Sequence, residues 1–276
     1  MKSKGFTLIE LLIVIAIMAL LLGMVLPALK IAKERSLAVL CQTNIKKITQ
    51  GLYLYAGNNG TFPYSFDSST HGLAPPPGGY VGNPMFDRMG WWWFHNITES
   101  PDDLTGVSSI FRCPSRCIED LGIKENILWG NYGVNQSICR TAAGIPAGKD
   151  FIGIPLGLDQ IPDSSKTLLI FDCGYSMATW WQVTNKPPQP LGSTVEENAY
   201  IPGLNINDRK ILLPGQKYDA LNARHLFNGV NVGFVDGHVE LLQVNGLYVE
   251  NINDIYKNRC PLWQPANPEI IKKERF

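Results

Sequence analysis

The chain reads as an α+β protein. One long amino-terminal helix, apolar in its first half and amphipathic in its second, packs on an antiparallel β-sheet with long irregular loops. Three observations predict this. Residues 6–29 form an apolar run interrupted by one charge, Glu10. From Leu37 to Tyr55 the apolar residues recur at steps of three or four. Residues 223–242 alternate apolar and polar around two glycine-containing turn dipeptides.

The apolar run comes first. Phe6 to Leu29 is 24 residues, enough at ~1.5 Å per residue to cross a bilayer core of ~30 Å. Lys2 and Lys4 precede it and, by the positive-inside bias, hold the head in the cytoplasm. A secretory signal peptide places its small residues after the apolar core. Here Gly5 lies before it, so a cut at that glycine removes a basic leader, 1–5, and leaves the transmembrane helix, 6–29, on the mature chain. A carboxylate within a membrane helix costs roughly 2.5–3.5 kcal/mol at the centre, so Glu10 needs a partner. A cut after Gly5 creates an amine on Phe6, four positions before Glu10, where helical side chains are neighbours. One subunit's Glu10 can equally meet another subunit's amine and set the stagger between helices. The plainer reading is a signal anchor with an isolated glutamate.

Lys4-Gly5-Phe6-Thr7-Leu8-Ile9-Glu10-Leu11-Leu12 resembles the class III signal of type IV pilins and type II secretion pseudopilins. The resemblance covers about the first tenth of the chain. It implies that a prepilin peptidase cuts between Gly5 and Phe6 and methylates the new amino terminus, and that Glu10 is the assembly carboxylate. Pro27 falls where such helices often carry a kinking proline. The implied partners are prepilin peptidase, other pilin or pseudopilin subunits, the inner-membrane assembly machinery and membrane lipid. The implied location is single-pass in the inner membrane, amino terminus cytoplasmic and carboxy-terminal domain extracytoplasmic, in a periplasmic or surface filament after assembly.

The helix is expected to continue beyond the membrane as an amphipathic extension, 30–57. Its stripe is Leu37, Leu40, Cys41, Ile45, Ile48, Leu52 and Tyr55. Gly57-Asn58-Asn59-Gly60 ends it. Pro27 lacks an amide donor and should bend or open the helix locally.

The remainder, 58–276, is one extracytoplasmic domain. Once Lys2 and Lys4 are removed, 22 basic residues face 24 acidic ones, which gives no footprint for nucleic acid. Cys41, Cys113, Cys117, Cys139, Cys173 and Cys260 all follow the membrane helix, in a compartment where disulfides persist. Cys113-Pro114-Ser115-Arg116-Cys117 has a spacer that suits half of a zinc site. Cys139, Cys173 and the lone His95 supply no second half, so disulfides are the reading and no metal is assigned. Asp159, Asp163 and Asp172 are too scattered for a calcium loop.

Between 60 and 220 the pattern is irregular. The stretch 73–84 is a Pro/Gly loop, and 185–220 is a surface excursion in which Ile211-Leu212-Leu213 forms a brief strand or a packing plug. Lys166 to Asp172 reads as a buried strand, and Ala178 to Thr184 as another that carries Trp180-Trp181. The cluster Trp91-Trp92-Trp93-Phe94 is read as buried or at a subunit contact, with a glycan platform as the alternative.

The strongest β signal is a three-stranded meander, 223–242, turning at Asn228-Gly229 and Asp236-Gly237. Two-residue turns pair Phe227 with Val230, Phe234 with Val239 and Val232 with Leu241. They put His225, Phe227, Val230, Val232, Phe234, Val239 and Leu241 on one face, ready to pack on the long helix. His225 on that face reads as a hydrogen-bonded core residue, and Asp236 as half of a turn dipeptide.

The same segment resembles the processing-associated carboxy-terminal motif of planctomycete-type prepilin-like families, a histidine followed by an Asp-Gly pair. His225, Asp236 and Gly237 match it, with the spacing one residue longer. Cys41-Gln42-Thr43-Asn44, Gly60-Thr61-Phe62-Pro63, Cys113-Pro114, Tyr132-Gly133-Val134-Asn135 and Ser165 to Asp172 agree in order. The resemblance implies a pilin-like architecture and assigns no role to the motif residues.

The function expected is that of a structural subunit of a type IV pilus-like or pseudopilus-like filament, with no enzyme activity, catalytic residue or cofactor. Two other readings remain: a membrane-tethered carbohydrate-binding surface module built on the tryptophans, and an anchored hydrolase using His225 and Asp236.

Overall fold

The computed structural model describes residues 6–67, 90–98, 104, 109–142, 151–186, 199–213, 215–253 and 255–265. The leader with Gly5, the loop 73–84 and the tail 266–276 lie outside them.

Helix α1 spans Leu8–Asn59, 52 residues, or roughly 78 Å at the standard rise. It starts at a capping box. Thr7 Oγ1 accepts from the Glu10 amide at 3.3 Å, and Glu10 Oε2 accepts from the Thr7 amide at 2.8 Å. The helix continues through Pro27 and ends where the Gly60 amide donates to Ala56 O. Side chains are exposed from Phe6 to Lys33. Beyond that, Ala38, Cys41, Asn44, Ile45, Ile48, Thr49, Leu52 and Ala56 are buried. The expected stripe is met at Cys41, Ile45, Ile48 and Leu52, whereas Leu40 is exposed. The three large aliphatics of the stripe each contribute ~1.5–3 kcal/mol on burial.

Strand β1 (Phe66–Asp67) pairs with β2 (Trp91–Trp92). The central sheet has five strands: β3 (Tyr132–Asn135), β4 (Leu168–Asp172), β5 (Met177–Ala178), β6 (Gly229–Phe234) and β7 (Val239–Gln243). Their order is β5-β3-β4-β6-β7, antiparallel except for the β3–β5 pair. Strands β8 (Glu250–Ile252) and β9 (Ile255–Lys257) form a separate ribbon. The expected strand at 166–172 is β4, buried throughout. The expected strand at 178–184 is mostly a 3-10 turn, Trp180–Val183. Ile211 to Leu213 forms no strand.

The sheet is covered on both faces. The pairs Tyr132–Asp172, Val134–Ile170 and Ile170–Gly233 put these side chains on one face by strand alternation. Helix α1 lies on that face: Asn44 Nδ2 lies 3.4 Å from Tyr132 Oη, and Asn231 Nδ2 lies 3.5 Å from Ala38 O. On the opposite face Phe171 meets Trp263, ring centroids 5.1 Å apart.

The meander expected at 223–242 needs correction at two points. Residues 223–228 form no strand, and the neighbour of β6 on that side is β4. The backbone at Phe227 and Asn228 is left-handed (φ 61° and 54°), and the turn closes one residue earlier than Asn228-Gly229. At the other end three residues lie between the hydrogen-bonded Phe234 and His238, with Gly237 at φ 92°. The Gly237 amide donates to Phe234 O, and the Phe234 amide donates to His238 O. Val239 therefore pairs with Gly233 and Leu241 with Asn231. A one-residue slip exchanges the faces of a strand. The slip puts Val239 and Leu241 on the face of Asn231 and Gly233. The helix packs over Asn231 and Gly233, and Val230, Val232 and Phe234 are buried on the other face.

Candidate functional site

Two places concentrate chemistry. The first is the start of α1. It is the one helix among the described residues long and apolar enough to cross a membrane. Phe6, Leu8, Ile9, Leu11 and Leu12 are all more than half exposed, an apolar surface that calls for lipid or other helices. Glu10 is the single charge in it. Its carboxylate folds back over the first turn, where Oε2 accepts from both the amide and the hydroxyl of Thr7 at 2.8 Å.

The second place lies between α1 and the sheet. Cys41 comes from the buried stripe of the helix, Cys113 from the loop before Pro114, Asp172 from the end of β4, and His225 from the residue leading into the left-handed turn before β6. All four side chains are buried, and their ligand atoms lie within 4.8 Å of one another. The two sulfurs are 3.3 Å apart, and His225 Nε2 is 3.0 Å from Asp172 Oδ2. These residues could hold a metal ion.

The electrostatics suit charged ligands. Burial pushes the Asp172 carboxyl up, but His225 and Arg224 outweigh it and hold the pKa below its ordinary value. Burial works against a charged His225, and Asp172 more than compensates, raising the imidazole. The Cys113 thiol is pushed well up, first by burial and then by Cys41. Cys41 is lowered, chiefly by its hydrogen bond from Cys113.

A buried network fixes the four segments. Arg224 binds both carboxylate oxygens of Asp219, at 2.9 and 2.6 Å, and donates to Asn131 O and Cys173 O. Asn131 Oδ1 accepts from the Cys113 amide and from Arg116 Nη1, both at 3.0 Å. The Asn231 amide N–H donates to Asp172 Oδ2 at 2.8 Å. Asp172 Oδ1 and His225 Nδ1 are buried with no hydrogen-bond partner among the described residues.

The residues singled out from sequence are redistributed. His225 is a buried, hydrogen-bonded histidine, as expected, but its carboxylate is Asp172. Asp236 lies in the β6–β7 turn, accepts from the His238 amide at 3.1 Å and pairs with that imidazole at 2.5 Å. Gly237 supplies the turn. Among the described residues His225 is bonded to Asp172 and Asp236 to His238, and His225 and Asp236 are not paired with each other. The disulfide expectation is not met at Cys41, Cys113, Cys117, Cys139 and Cys173, which are all unbridged. Trp92, Trp93, Trp180 and Trp181 are buried, and Trp91 is half-buried. Of the spacing Cys113–Cys117, only Cys113 joins Cys41, Asp172 and His225; Cys117 is exposed and outside the cluster. Each of those belongs to a different sequence fragment, and no spacing rule links them.

Residues 1–26 match the model of the prokaryotic N-terminal methylation motif. The match supports a type IV pilin-like prepilin signal and marks the chain as a pilin-type substrate of prepilin peptidase. No curated protein and no solved structure matches the chain.

Proposed function

We propose that this protein is a structural subunit of a type IV pilus-like or type II secretion pseudopilus-like filament, assembled through α1 after cleavage between Gly5 and Phe6. It is a substrate of its processing enzyme and not an enzyme itself. One observation carries the reading: a cleavable glycine–phenylalanine junction stands one helical turn before the only charge in the exposed apolar stretch 6–29. The Glu10 carboxylate already folds toward the start of the helix, where cleavage creates the amine. In lipid, helices associate through packing and polar contacts and not through hydrophobic driving force. An amine–carboxylate pair between neighbouring subunits then offsets the cost of both charges. The basic leader faces the cytoplasm, and the domain built on 58–276 faces outward. The other partners are further pilin-like subunits and the inner-membrane assembly machinery.

Mass spectrometry of the mature protein tests this. The expected terminus is N-methylated Phe6. An intact Met1, or an unmodified terminus at another position, overturns it.

A further inference from the structure

We propose that Cys41, Cys113, Asp172 and His225 bind one zinc ion, which clamps the long helix to the β-sheet. The proposal stands independently of the filament reading. Zinc takes Cys sulfur at ~2.3 Å and His nitrogen or carboxylate oxygen at ~2.0–2.2 Å, so its ligand atoms sit ~3.3–3.8 Å apart on a tetrahedron. The four side chains here converge to that scale, within 4.8 Å of one another and with the sulfurs at 3.3 Å. A separation of 4.8 Å has to close by about 1 Å to bring all four onto one centre.

The donor set selects the metal. Two sulfurs, one nitrogen and one oxygen suit zinc, whereas calcium and magnesium take oxygen ligands. A Cys41–Cys113 disulfide is the competing chemistry. It requires sulfurs ~2.05 Å apart, and it leaves the buried Asp172–His225 pair without a purpose. Orphaned buried polar atoms call for an explanation, and two of them, Asp172 Oδ1 and His225 Nδ1, belong to this cluster.

The surroundings match as well. Zinc with two thiolates, one carboxylate and a neutral imidazole carries a net charge of about −1. Arg224 and Arg116 supply positive charge beside it, each acting on Cys113 or through Asn131. Protons held by the ligand groups leave to solvent as the ion binds. The Cys113 and Asp172 ligands are held in turn by Asn131 Oδ1 and the Asn231 amide, the outer-shell support that orients metal ligands. A surface cleft lined by Leu40, Asn44, Arg112, Pro114 and Arg116 borders the Cys113 ligand. All four ligands come from protein and all are buried, which is the closed form of a structural site.

The test uses the full-length chain in detergent, purified without a chelated-metal resin. Elemental analysis should find about one zinc per chain, and cobalt substitution should give the visible bands of a tetrahedral thiolate complex. Cys113→Ser and His225→Ala should each lose most of the zinc, while Cys117→Ser, at an exposed and separate thiol, retains it. Should the ligand variants fail to accumulate, the cobalt spectrum of the unaltered chain decides. A folded metal-free chain without cobalt bands overturns the proposal. So does an intact mass showing Cys41 and Cys113 bridged, or zinc content unchanged in both ligand variants.

Discussion

Gly233 of β6 lies directly beneath Thr49 of α1. A Cβ on the glycine would stand 2.5 Å from Thr49 Oγ1 and 3.0 Å from methyl groups of Ile45 and Ile170. The absence of a side chain at that point lets the helix settle onto the sheet. Gly233→Ala is therefore expected to destabilise the domain by ~1–3 kcal/mol, the usual cost of overpacking. Thr49 Oγ1 bonds only to Ile45 O within its own helix, so Thr49→Ala removes the closest obstruction at little cost. The double variant should recover part of the loss. Denaturant unfolding of the four chains measures the coupling, and strictly additive effects would show that the two residues do not meet.

His95 contributes a pH dependence. Its Nδ1 accepts from the Trp92 amide at 2.9 Å, and burial lowers its pKa from 6.5 to about 4. As pH falls below the unfolded value, the unfolded chain takes up a proton that the folded chain refuses until about pH 4. The folded state is thus undisturbed by this group above 6.5 and loses up to ~3 kcal/mol as pH falls through the window. His95→Asn offers Oδ1 to the same amide and does not titrate. The stability difference between about pH 7 and pH 4.5 should shrink by ~2–3 kcal/mol in that variant. An unchanged difference would place the acid sensitivity elsewhere.

Much of this architecture could be read from residue order. The capping box at Thr7 and Glu10, the stripe through Cys41, Ile45, Ile48 and Leu52, and the buried run of β4 are all local patterns. The register of β6 on β7 was less legible, because an Asp-Gly pair serves both two-residue and three-residue loops. The choice between them moved Val239 and Leu241 onto the face of Asn231 and Gly233. The cluster was least legible. Cys41, Cys113, Asp172 and His225 sit on four segments that only the sheet order and the docked helix bring together. A lone histidine and a short Cys spacing therefore read as core and disulfide.

Arg224 joins three segments beside that cluster, through Asp219, Asn131 and Cys173. Its bidentate pair with Asp219 is buried, and Asp219 also accepts from Tyr200 Oη at 2.8 Å and from the Cys117 amide at 3.0 Å. Arg224→Met strands the carboxylate and should cost ~3–5 kcal/mol. Arg224→Lys keeps the charge but loses the planar fork, so it should recover less than half of that. Tyr200→Phe removes one hydrogen bond to a charged group and should cost ~1.5–3 kcal/mol. Thermal melts of the full chain rank the three. A lysine variant as stable as the native chain would mean that charge alone suffices.

Glu10 holds two roles that separate cleanly. As the third residue of the helix it closes the capping box with Thr7; as a carboxylate it is proposed to meet the amine made by cleavage. Thr7→Ala removes the cap, a loss of ~1 kcal/mol, and leaves the charge in place. Glu10→Gln keeps an acceptable capping residue and removes the charge. If the charge drives assembly, Glu10→Gln should be cleaved normally yet enter filaments at least about tenfold less, equivalent to ~1.4 kcal/mol. Thr7→Ala should assemble within about a factor of five, the equivalent of its ~1 kcal/mol cap. Immunoblots of the processed pool and of the sheared filament fraction give both numbers. The reverse ranking would make position 10 a helix cap and nothing more.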